Sequence, residues 1–193
     1  VSRDDPAAVW AGRTSVRAAP SRRPGPNDTV QIGLIGCGGL GRRVMRFHQK
    51  VEGVRVAAVY DLNEELLALG GEAKGNPGVA TYRDYRKLLE NTAVDAVIVA
   101  TNDHWHVLPT VHACQAGKDV YLEKPVGTSI AEGRAAVVAA RKYNRIVQFG
   151  SQQRSWKHYR EAAEIVQSGE LGEISEVKVW DYNNFYPGFG APP

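Results

Sequence analysis

Two cysteines, Cys37 and Cys114, are all that the 193 residues carry, too few for a disulfide framework or a thiolate metal site. No apolar run is long enough to cross a membrane. The arginines are scattered instead of forming a patch interleaved with aromatics, so a formal charge of only +3 argues against nucleic acid as a partner. His104 and His106 make an H-x-H pair, but only His112 stands near them, so no metal is expected. What remains is an ordinary globular composition, 43% hydrophobic and 23% charged, with room for one well-packed domain and part of another.

Residues 1–29 are rich in Pro, Arg, Ala and Ser, lack apolar periodicity, and read as a flexible leader. Arg22-Arg23 looks like a twin-arginine pair without the apolar segment that an export signal needs. The expected location is therefore cytoplasmic, the alternative being an export signal in a longer N-terminus.

The informative stretch begins at Val30, where Val30 to Ile35 reads as a buried strand running into a glycine turn. Gly36, Gly38 and Gly41 stand in the order G-x-G-x-x-G, and Arg42 to Lys50 then reads as a helix with Val44, Met45, Phe47 and Val51 on its inner side. In a dinucleotide-binding turn the first glycine bends the chain, the second lets a pyrophosphate approach the backbone, and the third lets helix and strand close up. Free N–H groups at Gly39, Leu40 and Gly41, at the positive end of the helix dipole, would hold the phosphates. A second apolar run, Val54 to Tyr60, ends on Asp61, about twenty residues after the last glycine, where an acid hydrogen-bonds the adenosine ribose. A carboxylate there favours NAD over NADP, because a 2′-phosphate would meet like charge. The bland alternative is that Asp61 only caps the next helix from Asn63 or Glu64.

Beyond Asp61 the patterns alternate. Helix is expected over Leu62 to Lys74, Tyr82 to Glu90, His106 to Gly117, Ile130 to Tyr143 and Trp156 to Ser168, and strand over Val94 to Ala100, Asp119 to Leu122 and Arg145 to Gly150. Such alternation predicts an α/β fold with a doubly wound parallel sheet of the Rossmann type. Glu173 to Tyr182 breaks the rhythm, alternating with period two like the first strand of a second α/β domain. The expected organisation is a leader over 1–29, a nucleotide-binding domain over 30–155, and a linking helix with the start of a truncated substrate domain over 156–193.

Ligands of open parallel sheets gather at the carboxyl ends of strands. Thr101-Asn102-Asp103-His104-Trp105-His106 follows one such end, with Thr101 or Asp103 as the natural cap of the next helix. Glu123-Lys124-Pro125 follows another, and Lys124 there can reach a substrate hydroxyl and the nicotinamide ribose. Gln153 and Arg154 follow a third and suit a polyhydroxy or carboxylate substrate.

The glycine turn, Asp61, the segment from Thr101 to His106 and Glu123-Lys124-Pro125 together resemble the Gfo/Idh/MocA family of oxidoreductases, over about residues 30 to 180. The resemblance implies a nucleotide-binding domain followed by a mostly antiparallel α/β domain. The activity it implies is hydride transfer between a nicotinamide and a sugar, polyol or related hydroxy compound. By that resemblance Lys124 is the catalytic lysine touching substrate and nicotinamide ribose, Glu123 supports the nicotinamide side, and His106 closes a T-P-x-x-x-H type segment with Thr101. Asn102 stands where the family has proline, which leaves the loop less rigid. The Asp and His that transfer protons in the family lie in the second domain and match no position here, so the chain reads as an N-terminal fragment, oligomeric when full length. The alternatives are a non-catalytic NAD-binding regulator or subunit, and an NAD-dependent glycosidase of the same family.

Overall fold

The computed structural model describes residues 29–71 and 78–180, which divide into two compact units after Ser151. In the first unit six strands form one sheet: β1 (Val30–Ile35), β2 (Val54–Tyr60), β3 (Ala80–Tyr82), β4 (Ala96–Val99), β5 (Asp119–Glu123) and β6 (Val147–Gly150). Their order is β3-β2-β1-β4-β5-β6 and every pairing is parallel. Parallel neighbours require crossovers, and the helices supply them: α1 (Gly39–His48), α2 (Glu64–Gly71), α3 (Tyr85–Glu90), α4 (Val107–Gln115) and α5 (Ile130–Lys142).

The central strands, β1 and β4 above all, are buried on both sides, which is why they read as continuous apolar runs. Ile32, Leu34, Val56 and Ile98 pack with Val44 and Met45 of α1 and Leu67 of α2. Val97, Val99, Val120 and Leu122 pack on the other face with Val111 of α4, Leu88 of α3 and Ala135, Ala136 and Ala139 of α5. Small side chains on α5 let that helix lie close, and its start is secured by a capping box in which Ser129 accepts the Glu132 N–H and Glu132 accepts the Ser129 N–H. Lys118, fully buried, donates to the carbonyls of Asn91 and Val94 at 3.0 and 2.5 Å and so ties the end of α3 to the start of β4.

Three local expectations are corrected. On α1 the buried stripe is Gly41, Val44 and Met45, whereas Phe47 and Val51 are 54% and 57% exposed. Phe47, two residues past Met45, points about 200° around the helix from it, and its ring sits under Arg43 and Lys50 instead, at 5.9 and 5.2 Å. Tyr82 belongs not to a helix but to β3, whose three residues are too few to show a period-two signal. The segment after β4 makes a 3-10 turn at Asp103–Trp105 before α4 begins at Val107, so neither Thr101 nor Asp103 caps that helix. Pro109 does fall in its first turn.

The second unit holds a 3-10 turn at Gln152–Ser155 and α6 (Lys157–Gln167), whose side chains are exposed. Glu173 to Trp180 forms no strand, because a strand needs a ladder partner and none stands beside it among the described residues. Asp181 and Tyr182, the end of that expected strand, lie outside the described residues, as do the leader and most of the loop expected at Gly75 to Gly78.

Candidate functional site

The order of the strands reverses between β1 and β4, and the two loops that leave them must part there, opening a crevice at the carboxyl edge. On one side is the turn from β1 into α1. Gly36 sits at φ 102, and a Cβ on it would lie 2.6 Å from the carbonyl oxygen of Ala100. A Cβ on Gly41 would run into the Gly36 carbonyl oxygen. Both positions therefore admit hydrogen only. At Gly38 and Gly39 the opposite holds, since a Cβ there would meet nothing within 4 Å. The bare backbone at Gly38 and Gly39 faces open space, and α1 starts from Gly38 with no side-chain cap and no acid in its first turn. Its first N–H groups and dipole are left for an outside anion.

Asp61, at the end of β2, holds this turn in place. Its carboxylate accepts the Cys37 N–H at 2.7 Å and the Asn63 N–H at 2.9 Å. It is not the helix cap, because Asn63 Oδ1 accepts the N–H groups of Glu65 and Leu66 at 2.9 and 3.2 Å. A carboxylate offers about four lone pairs, so two remain for a pair of vicinal hydroxyls. The Cys37 thiol donates to the Tyr60 carbonyl, and burial, with Asp61 beside it, pushes its pKa up to about 12. It is a packed, inert thiol.

Gly36, Gly38, Asp61, Thr101 and Asn102 line one cleft of about 640 Å³. Its wall beside Asp61 is built from residues that the sequence pattern did not assign: Tyr60, Asp84, Tyr85 and Arg86, with Arg83. Tyr85 is set edge-on to Tyr60 at 5.7 Å and stacked on His112, whose Nδ1 lies 2.8 Å from the Tyr85 hydroxyl. Burial, then the charge of Arg86, lowers the His112 pKa and keeps the imidazole neutral, while burial raises that of Tyr85 to about 12. The wall is thus fixed from behind. Only the Asp84 N-cap, whose side chain accepts the Arg86 N–H, left a signal in the sequence.

Asp84 also takes the Arg86 guanidinium on both oxygens, through Nε at 2.8 and 3.1 Å and NH2 at 2.7 Å. The hydrogen bonds from Arg86 hold its carboxyl below the ordinary 3.8. A lowered folded-state pKa contributes stability that is present above the unfolded value and lost as pH falls through the folded one. Asp84→Asn should therefore melt below wild type at pH 7, with the gap closing as pH drops below about 4. Thermal melts from pH 7 to 3 test this, and a gap independent of pH would count against the pairing.

The remaining expected residues stand apart from this cleft. His106 is 1% exposed, with Nδ1 2.6 Å from the Pro125 carbonyl and Nε2 3.2 Å from the Thr101 carbonyl, so its ring joins the two loops from behind the cleft wall. Glu123 is 2% exposed and accepts the Lys124 N–H at 3.1 Å, leaving the Lys124 side chain exposed at the end of β5. Gln153 and Arg154 belong to the second unit. Among the described residues no group of three or more His, Cys, Asp or Glu side chains could hold a metal, and no helix is long and apolar enough to cross a membrane.

The model of the GFO_IDH_MocA oxidoreductase family, with its NAD-binding Rossmann fold, matches residues 30–151. The chain belongs to this family. Inositol 2-dehydrogenase 2 of Saccharopolyspora erythraea is 34% identical over 161 residues, 82% of this chain and 47% of that protein. Inositol 2-dehydrogenase of Salmonella typhimurium is 32% identical over 162 residues, 80% of this chain and 46% of its own length. Among solved structures, myo-inositol 2-dehydrogenase from Lactobacillus plantarum superposes with a TM-score of 0.68 at 28% identity, over 76% of this chain and 43% of that one. Scyllo-inositol dehydrogenase from Lactobacillus casei, with bound NAD(H) and scyllo-inositol, gives 0.68 at 25% identity, over 76% and 43%. The chain spans about half the length of the curated relatives it matches. Its first unit contains the family's NAD-binding Rossmann domain.

Proposed function

We propose that this chain supplies the cofactor half of a dehydrogenase that prefers NAD to NADP and acts on a polyol of the cyclitol or sugar class. The observation that carries the reading is Asp61, anchored to the glycine turn through the Cys37 N–H and presented in the cleft beside the uncapped start of α1. The residues fit the group: bare backbone at Gly38 and Gly39 where a pyrophosphate would approach, N–H groups at Gly39, Leu40 and Gly41 to receive it, and a carboxylate for the ribose hydroxyls. When bound, NAD supplies the hydride acceptor for oxidation of a secondary alcohol.

The chain's own residues then bind and orient. Thr101 and Asn102 line the cleft opposite Asp61. Lys124 is proposed to hold the reacting hydroxyl and the nicotinamide ribose, since an exposed ammonium at a strand end donates without accepting. Glu123, by accepting the Lys124 N–H, sets the turn that presents it. Gln153 and Arg154 are proposed as polar contacts of the substrate, and 156–193 as the passage into a substrate domain. The cyclitol class is supported by the relatives' activities, the inositol dehydrogenases among them. The proposed setting is the cytoplasm, with the longer protein a homo-oligomer.

Calorimetric titration of the purified chain with NAD and NADP tests the reading. NAD should bind with a clear preference over NADP. Binding of neither would overturn it.

A further inference from the structure

Around Asp61 the cleft wall carries two guanidiniums, Arg83 and Arg86, and each is claimed by a carboxylate. Arg86 is gripped on both oxygens of Asp84. Arg83 is held once, its NH1 2.6 Å from Glu64 Oε1, while its NH2 lies 3.5 Å from the carbonyl of Leu62, the residue next to Asp61. Arg83 and Glu64 are both well exposed, their side chains at 64% and 75%. Exposed pairs of this kind are weak, whereas a two-point guanidinium–carboxylate grip is not readily exchanged. Of the two cleft guanidiniums, Arg83 is thus the one more readily released.

We propose that Glu64 is a cofactor-selectivity residue, which disfavours a 2′-phosphate by occupying Arg83, a cleft guanidinium beside Leu62 that would otherwise receive one. The proposal rests on the NAD-binding reading above. Asp61 rejects the 2′-phosphate by direct repulsion, and Glu64 removes a compensating charge. With Arg86 held by Asp84 and Arg83 by Glu64, neither cleft guanidinium is left to offset the charge of Asp61, so a dianionic phosphate finds no net attraction.

A double-mutant cycle read by calorimetry tests the pair, with NAD and NADP titrated into wild type, Glu64→Gln, Arg83→Ala and the double variant. Glu64→Gln should raise NADP affinity relative to NAD about five-fold, the size that an exposed ion pair permits. That gain should vanish in the Arg83→Ala background. An unchanged ratio in Glu64→Gln, with NAD still bound, would overturn this inference alone. So would an equal gain in both backgrounds, which would mean that Glu64 acts only as a negative charge and not through Arg83. Loss of NAD binding in the wild type would instead bring down the reading on which it rests.

Discussion

Asp61→Ala should weaken NAD binding at least about 100-fold. The carboxylate has two lone pairs left for ribose hydroxyls after accepting the N–H groups of Cys37 and Asn63, and hydrogen bonds to a charged group contribute about 1.5–3 kcal/mol each. Losing two of them exceeds the roughly 2.7 kcal/mol that a hundredfold change requires. The same substitution leaves the Cys37 N–H, in the tightest part of the turn, without its acceptor. A stability loss of about 1–3 kcal/mol should accompany the binding defect. Asp61→Asn separates the two effects, because the amide oxygen can still accept from Cys37 while the charge is gone. Titration and urea melts of both variants check this. NAD affinity in Asp61→Ala within two- or three-fold of wild type would remove the ribose from the site.

His106→Ala carries the next largest expectation, this time on stability. The ring is buried, and its two nitrogens lie against backbone carbonyls of different loops, that of Thr101 after β4 and that of Pro125 after β5. Truncation takes the ring N–H from the carbonyl it reaches and opens a cavity where the imidazole packed between the two loops, for a loss of about 2–4 kcal/mol. NAD affinity should fall less, about ten-fold, because Thr101 lines the cleft while His106 does not touch it. His106→Gln, with one amide able to donate, should recover part of the stability. Urea unfolding followed by circular dichroism decides the matter, and a loss below about 1 kcal/mol would mean that the bridge between the loops contributes little.

The periodicities placed most of the scaffold. Runs such as Val97, Ile98 and Val99 are apolar at every position because both faces of the sheet are covered, and this marks buried parallel strands without reference to partners. Glycine at 36 and 41 was equally legible, since the positive φ of Gly36 and the approach of Gly41 to the Gly36 carbonyl belong to the turn itself. The pattern reading went astray where a signal was short or its partner distant. β3 has three residues, Phe47 points away from the buried stripe, and Glu173 to Trp180 alternates correctly yet has no neighbouring strand among the described residues.

Sequence alone thus determined the fold class, the glycine turn and the acid at Asp61, because each depends on spacing within one strand–turn–helix–strand unit. Tertiary structure decided what surrounds them. Tyr85 reaches Tyr60 and His112, His106 bridges the loops after β4 and β5, and Arg83 pairs with Glu64, all through contacts between residues far apart in the chain. Periodicity reports which face of an element is apolar. It carries no information about which distant polar group a side chain will meet, because that is set by the order of the strands and the path of the crossovers.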